Sequence, residues 1–341
     1  MTAGAVPTGV ATAIGSLPGE DIDAAVALVF EALPDLPHLP ELPARGPGAD
    51  MIGRTAAALA DLHVDLQPAG WRLVPRIGLD ERRAGALLER DLDALVPVAP
   101  GFNGSFKVQL AGPWTLAAAL ELPRGGKVVG DPGAVRDVAD ALAETVRTHL
   151  EDVARRLPDA HLVLQLDEPF LPAVLAGAVP TGSGMGQLRA VEESEAGAAL
   201  RRLVEAAAVP VVVHCCAPDV PFGLLHDAAA TAVSFDLGAT QAAGRLDLDD
   251  LGERVDRGLV LWLGVVPTLG PGVPPTVRQV LAPVRDLWQR LGFDAGQLGR
   301  SIALTPACGL AGASEGWART ALRLVAQAAR TLAEAPEDIR T

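Results

Sequence analysis

Short apolar runs, each able to fill one buried strand, recur along this chain between longer Ala-, Leu- and Arg-rich stretches of helical period. That alternation is the pattern of βα units, in which a parallel sheet is covered by helices. The runs fall at residues 11–16, 107–111, 161–167, 209–216, 231–236, 259–266 and 301–307. One further strand must precede Lys107, at either 38–42 or 72–77. Roughly eight strands predict an α/β fold with a single (β/α)8 TIM barrel, one domain over residues 1–341, in preference to an open doubly wound sheet. Helices are expected at 21–32, 132–157, 194–208, 275–291 and 314–333, and the Pro- and Gly-rich stretch 34–48 reads as a loop near the barrel mouth.

Composition narrows the partners. Hydrophobic residues at 49% supply a large core, and charged residues at 21% do not suggest disorder. A net charge of −14 argues against nucleic acid, whose phosphates need a basic footprint. The longest uncharged stretch, 258–277, is broken by Pro267, Pro271, Pro274 and Pro275, so no membrane span is expected. Residues 1–10 lack the basic and apolar regions of a secretory signal. Three cysteines make no disulfide framework, which points to a reducing cytoplasm.

The chemistry-bearing residues collect where the strands end. Val209–Val213 is wholly apolar and runs into His214-Cys215-Cys216. Side chains two apart on a strand share a face, so His214 and Cys216 point one way and Cys215 the other. The strand ending at Asp236 closes with a carboxylate, and the last run ends in Cys308-Gly309. Imidazole, thiolate and carboxylate are zinc ligands, and a catalytic zinc site keeps one position open. A lone His or Cys in an apolar segment is more often plain core. Four such residues at the carboxyl ends of parallel strands, where barrel enzymes build their sites, make His214, Cys216, Asp236 and Cys308 candidate zinc ligands. On the same rim, Gln165 and Asp167 share a face, and Asp167 is the candidate catalytic carboxylate and holder of a substrate ammonium. The pair Asp167-Glu168 also suits a helix cap. Ile14-Gly15-Ser16 offers backbone amides to a ligand, and Trp114 either walls the substrate or simply packs.

These pieces together resemble the catalytic barrel of cobalamin-independent methionine synthase. The matching motifs are Ile14-Gly15-Ser16-Leu17-Pro18, Gly112-Pro113-Trp114-Thr115, Gln165-Leu166-Asp167-Glu168-Pro169, His214-Cys215-Cys216, Ser234-Phe235-Asp236 and Pro306-Ala307-Cys308-Gly309-Leu310, in the family's order. The resemblance implies zinc at His214, Cys216, Asp236 and Cys308. It implies that Ile14 and Ser16 hold an amino-acid carboxylate and Asp167 its ammonium, and that a methyl group passes to a thiol, homocysteine. Three departures stand out. Asp236 replaces the family's Glu, Gly53 follows Asp50-Met51-Ile52 where an acid is expected, and 263–268 carries no His. Without that His, and without the second barrel of the full-length synthase, a methylcorrinoid protein is the expected donor in place of folate.

Overall fold

The computed structural model describes residues 5–334. Its centre is a curled parallel sheet of six strands in sequential order: β3 (Ser105–Ala111), β4 (His161–Asp167), β5 (Val211–Cys215), β6 (Ala232–Asp236), β7 (Val260–Val266) and β8 (Ile302–Pro306). A separate antiparallel hairpin joins β1 (His63–Gln67) to β2 (Gly70–Val74). The helices, in chain order, are α1 (Ile22–Ala32), α2 (Met51–Ala56), α3 (Leu79–Asp93), α4 (Pro113–Ala119), α5 (Pro132–Arg156), α6 (Leu171–Leu175) and α7 (Glu193–Ala207). They continue as α8 (Phe222–Asp227), α9 (Leu237–Ala243), α10 (Leu248–Asp256), α11 (Val277–Leu291), α12 (Leu298–Ser301) and α13 (Glu315–Glu334).

The helix starts follow from their caps. Asp21 accepts from the Ala24 amide, Asp131 accepts from Gly133 and Ala134 ahead of Pro132, and Thr276 with Gln279 forms a capping box. No helix among the described residues is long and apolar enough to cross a membrane.

The expected first strand at 11–16 is present only as isolated parallel bridges, Ala11 to Leu304 of β8 and Ser16 to Glu41. The choice left open before Lys107 falls on the 38–42 segment, since His38 bridges Lys107 of β3, whereas Arg72 lies in the hairpin. Pro40 removes an amide donor inside the 38–42 stretch, and Pro37 and Pro43 flank it, so a continuous ladder cannot form there.

The sheet's two faces separate cleanly. Leu164, Val211, Val213, Val233, Leu261, Leu263 and Leu304 join the large cluster shared with the helices. Val163, Val212, Ala232, Trp262 and Ala303 alternate with them and form a small cluster with Val6 and Leu36 on the concave face. Continuing that alternation, Gln165, His214, Ser234 and Thr305 lie two residues further along the same concave face.

Candidate metal centre and amino-acid site

Three of the four expected ligands come together. One ligand atom each from His214, Cys216 and Cys308 lies within 4.8 Å of the others. β5 delivers His214, the residue just past its end is Cys216, and the chain just past β8 delivers Cys308. The His214 ring is fixed by its Nδ1, 3.0 Å from the Ser234 hydroxyl on the neighbouring strand, directly across in register. Its buried Nε2 has no partner. A buried imidazole nitrogen left open beside two thiols, with the other nitrogen held by a hydroxyl, is the arrangement of a metal-binding histidine. Tetrahedral zinc needs ligand atoms about 3.3–3.8 Å apart, so this donor set fits with small side-chain adjustments. Cys215 faces the other way, is fully buried, and has its thiol pushed up to about 12, chiefly by burial.

The two clustered thiols are linked by a hydrogen bond. The hydrogen bond from Cys216, aided by His214, pulls the Cys308 thiol well below its ordinary range, while that same bond, with burial, pushes Cys216 up. The direction of both shifts favours the thiolate at Cys308, the form that binds a metal ion.

Asp236 is placed differently. Its Oδ1 accepts the Ala239 amide at 2.9 Å and caps α9, and it is not among the three clustered ligands. Trp114 is fully buried and donates from Nε1 to the Ala196 carbonyl of α7, which puts it in the α4–α7 packing. Strand alternation separates the two adjacent acids as expected. Glu168 turns to α4 and accepts the Trp114 amide at 3.0 Å, the Thr115 amide at 2.8 Å and the Thr115 hydroxyl at 2.8 Å. Gly112 is required beside it, because a Cβ there would lie 2.4 Å from the Glu168 carboxylate. Burial still pushes Glu168 up to about 7.

Asp167 faces inward, paired in register with His214 and 4% exposed. Gln165 Nε2 donates to Asp167 Oδ1 at 2.7 Å and to the Ile14 carbonyl at 2.8 Å. Ser16 lies against the metal loop: a Cβ on Gly309 would come within 2.1 Å of its Oγ, and the Leu310 amide donates to the Ser16 carbonyl. Ser16 and Asp167 thus border the His214–Cys216–Cys308 cluster, and Ile14 is tied to Asp167 through Gln165.

Four residues here were not singled out from the sequence. Lys107 is fully buried, and its Nζ donates to the Ile14 carbonyl and to Gln165 Oε1, both at 2.8 Å. Burial pushes its pKa down, against the pull of Asp167 and Glu41. Burial likewise pushes Asp167 up, against the pull of His214 and Lys107. Glu41 is 4% exposed, 3.5 Å from the buried guanidinium of Arg54, and also pushed up by burial. Gln109 donates to the Leu39 carbonyl at 2.5 Å. The available signal was polar residues at alternate positions 107 and 109 in a run otherwise fit for a sheet buried on both faces. The Gly53 departure has a steric cause, since any Cβ there would lie 1.8 Å from the Pro47 carbonyl oxygen.

None of the curated proteins compared matches the sequence. Among solved structures, a B12-independent methionine synthase from Shewanella sp. W3-18-1 in complex with selenomethionine aligns over 96% of this chain and 98% of that one, with 12% identity and a TM-score of 0.62. The likeness shows a shared fold. A D-psicose 3-epimerase from Clostridium cellulolyticum H10 with D-tagatose aligns over 74% of this chain and 83% of that one, at 11% identity and a TM-score of 0.35, too low to carry an argument. The family model described as "Cobalamin-independent synthase, Catalytic domain" matches residues 103–331, which takes in the whole six-strand sheet, Asp167 and all three clustered ligands. With that match over well more than half its length, the chain belongs to the family of the cobalamin-independent synthase catalytic domain, a methyltransferase family.

Proposed function

We propose that this protein is a zinc-dependent methyltransferase acting on a thiol amino acid, homocysteine, to give methionine. The carrying observation is the open, buried Nε2 of His214 beside Cys216 and Cys308, bordered by Ser16 and Asp167, with Ile14 tied to Asp167 through Gln165. Zinc, when bound, holds a thiol sulfur deprotonated at neutral pH and so makes it nucleophilic. Ser234 holds the His214 ring by Nδ1 and leaves Nε2 free, where it would ligate zinc with Cys216 and Cys308. Asp167 receives the substrate ammonium with Glu41 nearby, and the Ile14–Ser16 backbone receives the carboxylate. Together these contacts align the sulfur for in-line attack on the methyl carbon. Asp236 would have to leave the α9 cap to serve as a further ligand.

We read the bridges Ala11–Leu304, Ser16–Glu41 and His38–Lys107 as closing the six strands into a (β/α)8 barrel, one domain over residues 1–341. A reducing cytoplasm suits its three free cysteines. For the donor we favour a methylcorrinoid protein on two observations. The 263–268 strand end carries no His to protonate a folate leaving group, and Met185, Val273 and Leu269, in loops that follow strand carboxyl ends, are 91%, 82% and 62% exposed. A second reading, a non-catalytic zinc- or thiol-binding barrel, is favoured by the same missing His and by Gly53.

The test is metal analysis of the purified protein, followed by incubation with homocysteine and either methylcobalamin or methyltetrahydrofolate. One zinc per chain and methionine from methylcobalamin are expected. Zinc without methionine from either donor favours the non-catalytic reading, and absence of zinc removes the proposal.

A further inference from the structure

We propose that Lys107 is a positioning residue that locks the amino-acid end of the substrate site, a role that rests on the homocysteine reading above. An ammonium has three N–H donors, and here each finds an acceptor on a different element. Lys107 Nζ reaches the Ile14 carbonyl at 2.8 Å, Gln165 Oε1 at 2.8 Å and Gln109 Oε1 at 3.3 Å. Gln165 then spends both amide hydrogens, on the Ile14 carbonyl at 2.8 Å and on Asp167 Oδ1 at 2.7 Å. The result is a closed loop from Lys107 through Gln165 to the two points proposed to grip the substrate, the Ile14–Ser16 backbone and the Asp167 carboxylate.

The cost of this arrangement argues for a use. A fully buried ammonium sacrifices its hydration, and an apolar side chain of similar length in the same space is often as stable or more so. Lys107 reaches neither the metal cluster nor the place of the reacting sulfur, so its contribution passes through Gln165 and Asp167. Its amide orientation is what the ammonium decides. With Oε1 held by Lys107, the Gln165 NH2 must face Ile14 and Asp167. Without Lys107 the Gln165 amide can rotate, and Asp167 loses both a fixed donor and a neighbouring positive charge.

The test uses the full-length, zinc-loaded protein and its Lys107→Met variant, with calorimetric titration of homocysteine and of propanethiol, which lacks the amino and carboxylate groups. In Lys107→Met, homocysteine binding weakens about tenfold or more, as for a lost hydrogen bond to a charged group. Propanethiol affinity and zinc content stay unchanged. The loss also shrinks in an Asp167→Asn background, because the two residues act as one unit. Parallel weakening of both thiols, an unchanged homocysteine affinity, or full additivity with Asp167→Asn overturns the role. Should Lys107→Met not fold, Gln165→Met breaks the same loop with the ammonium left in place, and retained homocysteine preference there overturns the proposal. Equal affinity of the unaltered protein for the two thiols overturns the amino-acid reading itself, and this role with it.

Discussion

The concave face of the sheet carries two layers one strand pleat apart, and they are built of opposite materials. The lower layer, Val163, Val212, Ala232, Trp262 and Ala303, is apolar and sealed by Val6 and Leu36. Two residues further along, the strands present Gln165, His214, Ser234 and Thr305, and just beyond them Asp167 and Cys216. Both layers are almost wholly buried, so burial does not distinguish them. The difference is in what holds them. The lower layer is held by dispersion and exclusion of water, while Gln165, Asp167, His214 and Ser234 of the upper are held by directional hydrogen bonds and opposed charges. Stability and chemistry are thereby assigned to successive steps of the same strand, and substitutions should separate the two.

The largest expected effect lies in the upper layer. Cys308→Ser should lose its zinc outright, shown by metal analysis, while the far-ultraviolet circular dichroism of the metal-free protein stays the same. A variant that keeps one ion per chain would break the assignment of Cys308. In the lower layer, Trp262→Ala should cost about 3–5 kcal/mol of stability in urea unfolding, because its fully buried side chain leaves a cavity. Any folded fraction should bind zinc with ordinary affinity, and a joint loss would show that the layers are coupled.

A smaller effect tests the support of the metal ligand. Ser234→Ala removes the hydroxyl 3.0 Å from His214 Nδ1 and should weaken zinc about 10–100-fold in a chelator competition, with little change in unfolding. The smallest is a pH slope belonging to neither layer. His149 on α5 is pushed down to about 3, mostly by burial and then by the charges of Arg54 and Arg156, from an ordinary value of 6.5. Between those values the unfolded chain binds a proton that the folded chain does not. Stability from this group is therefore complete above pH 6.5 and falls as pH drops toward 3, by up to about 1.4 kcal/mol per pH unit. His149→Gln should flatten the slope by that amount in unfolding measured between pH 7 and 5. An unchanged slope would remove His149 as its source, since the buried acid Asp167, raised by burial, tilts stability the opposite way.

Gly112 and Gly53 show how far local sequence goes. Gly112 lies in a motif legible in the sequence, yet its necessity comes from Glu168, brought against it from the next strand. Gly53 was read as a missing acid, and only folding shows that the Pro47 carbonyl leaves no room for any side chain. Ser234 stood in a recognised motif, but its role as the support of His214 depends on the β5–β6 register.

What the sequence determined by itself was the order of βα units, the family, and the face shared by His214 and Cys216. Each depends on residues close together in the chain, where strand alternation and capping act over a few positions. Tertiary structure decided which of several candidates meet. It brought Cys308 to His214 and Cys216, left Asp236 on an α9 amide and Trp114 in helix packing, and gathered Lys107, Gln165 and Glu41 around Asp167, with Arg54 and Gln109 beside Glu41. The physical reason is that burial, charge pairing and the orientation of a side-chain amide depend on neighbours supplied by other strands.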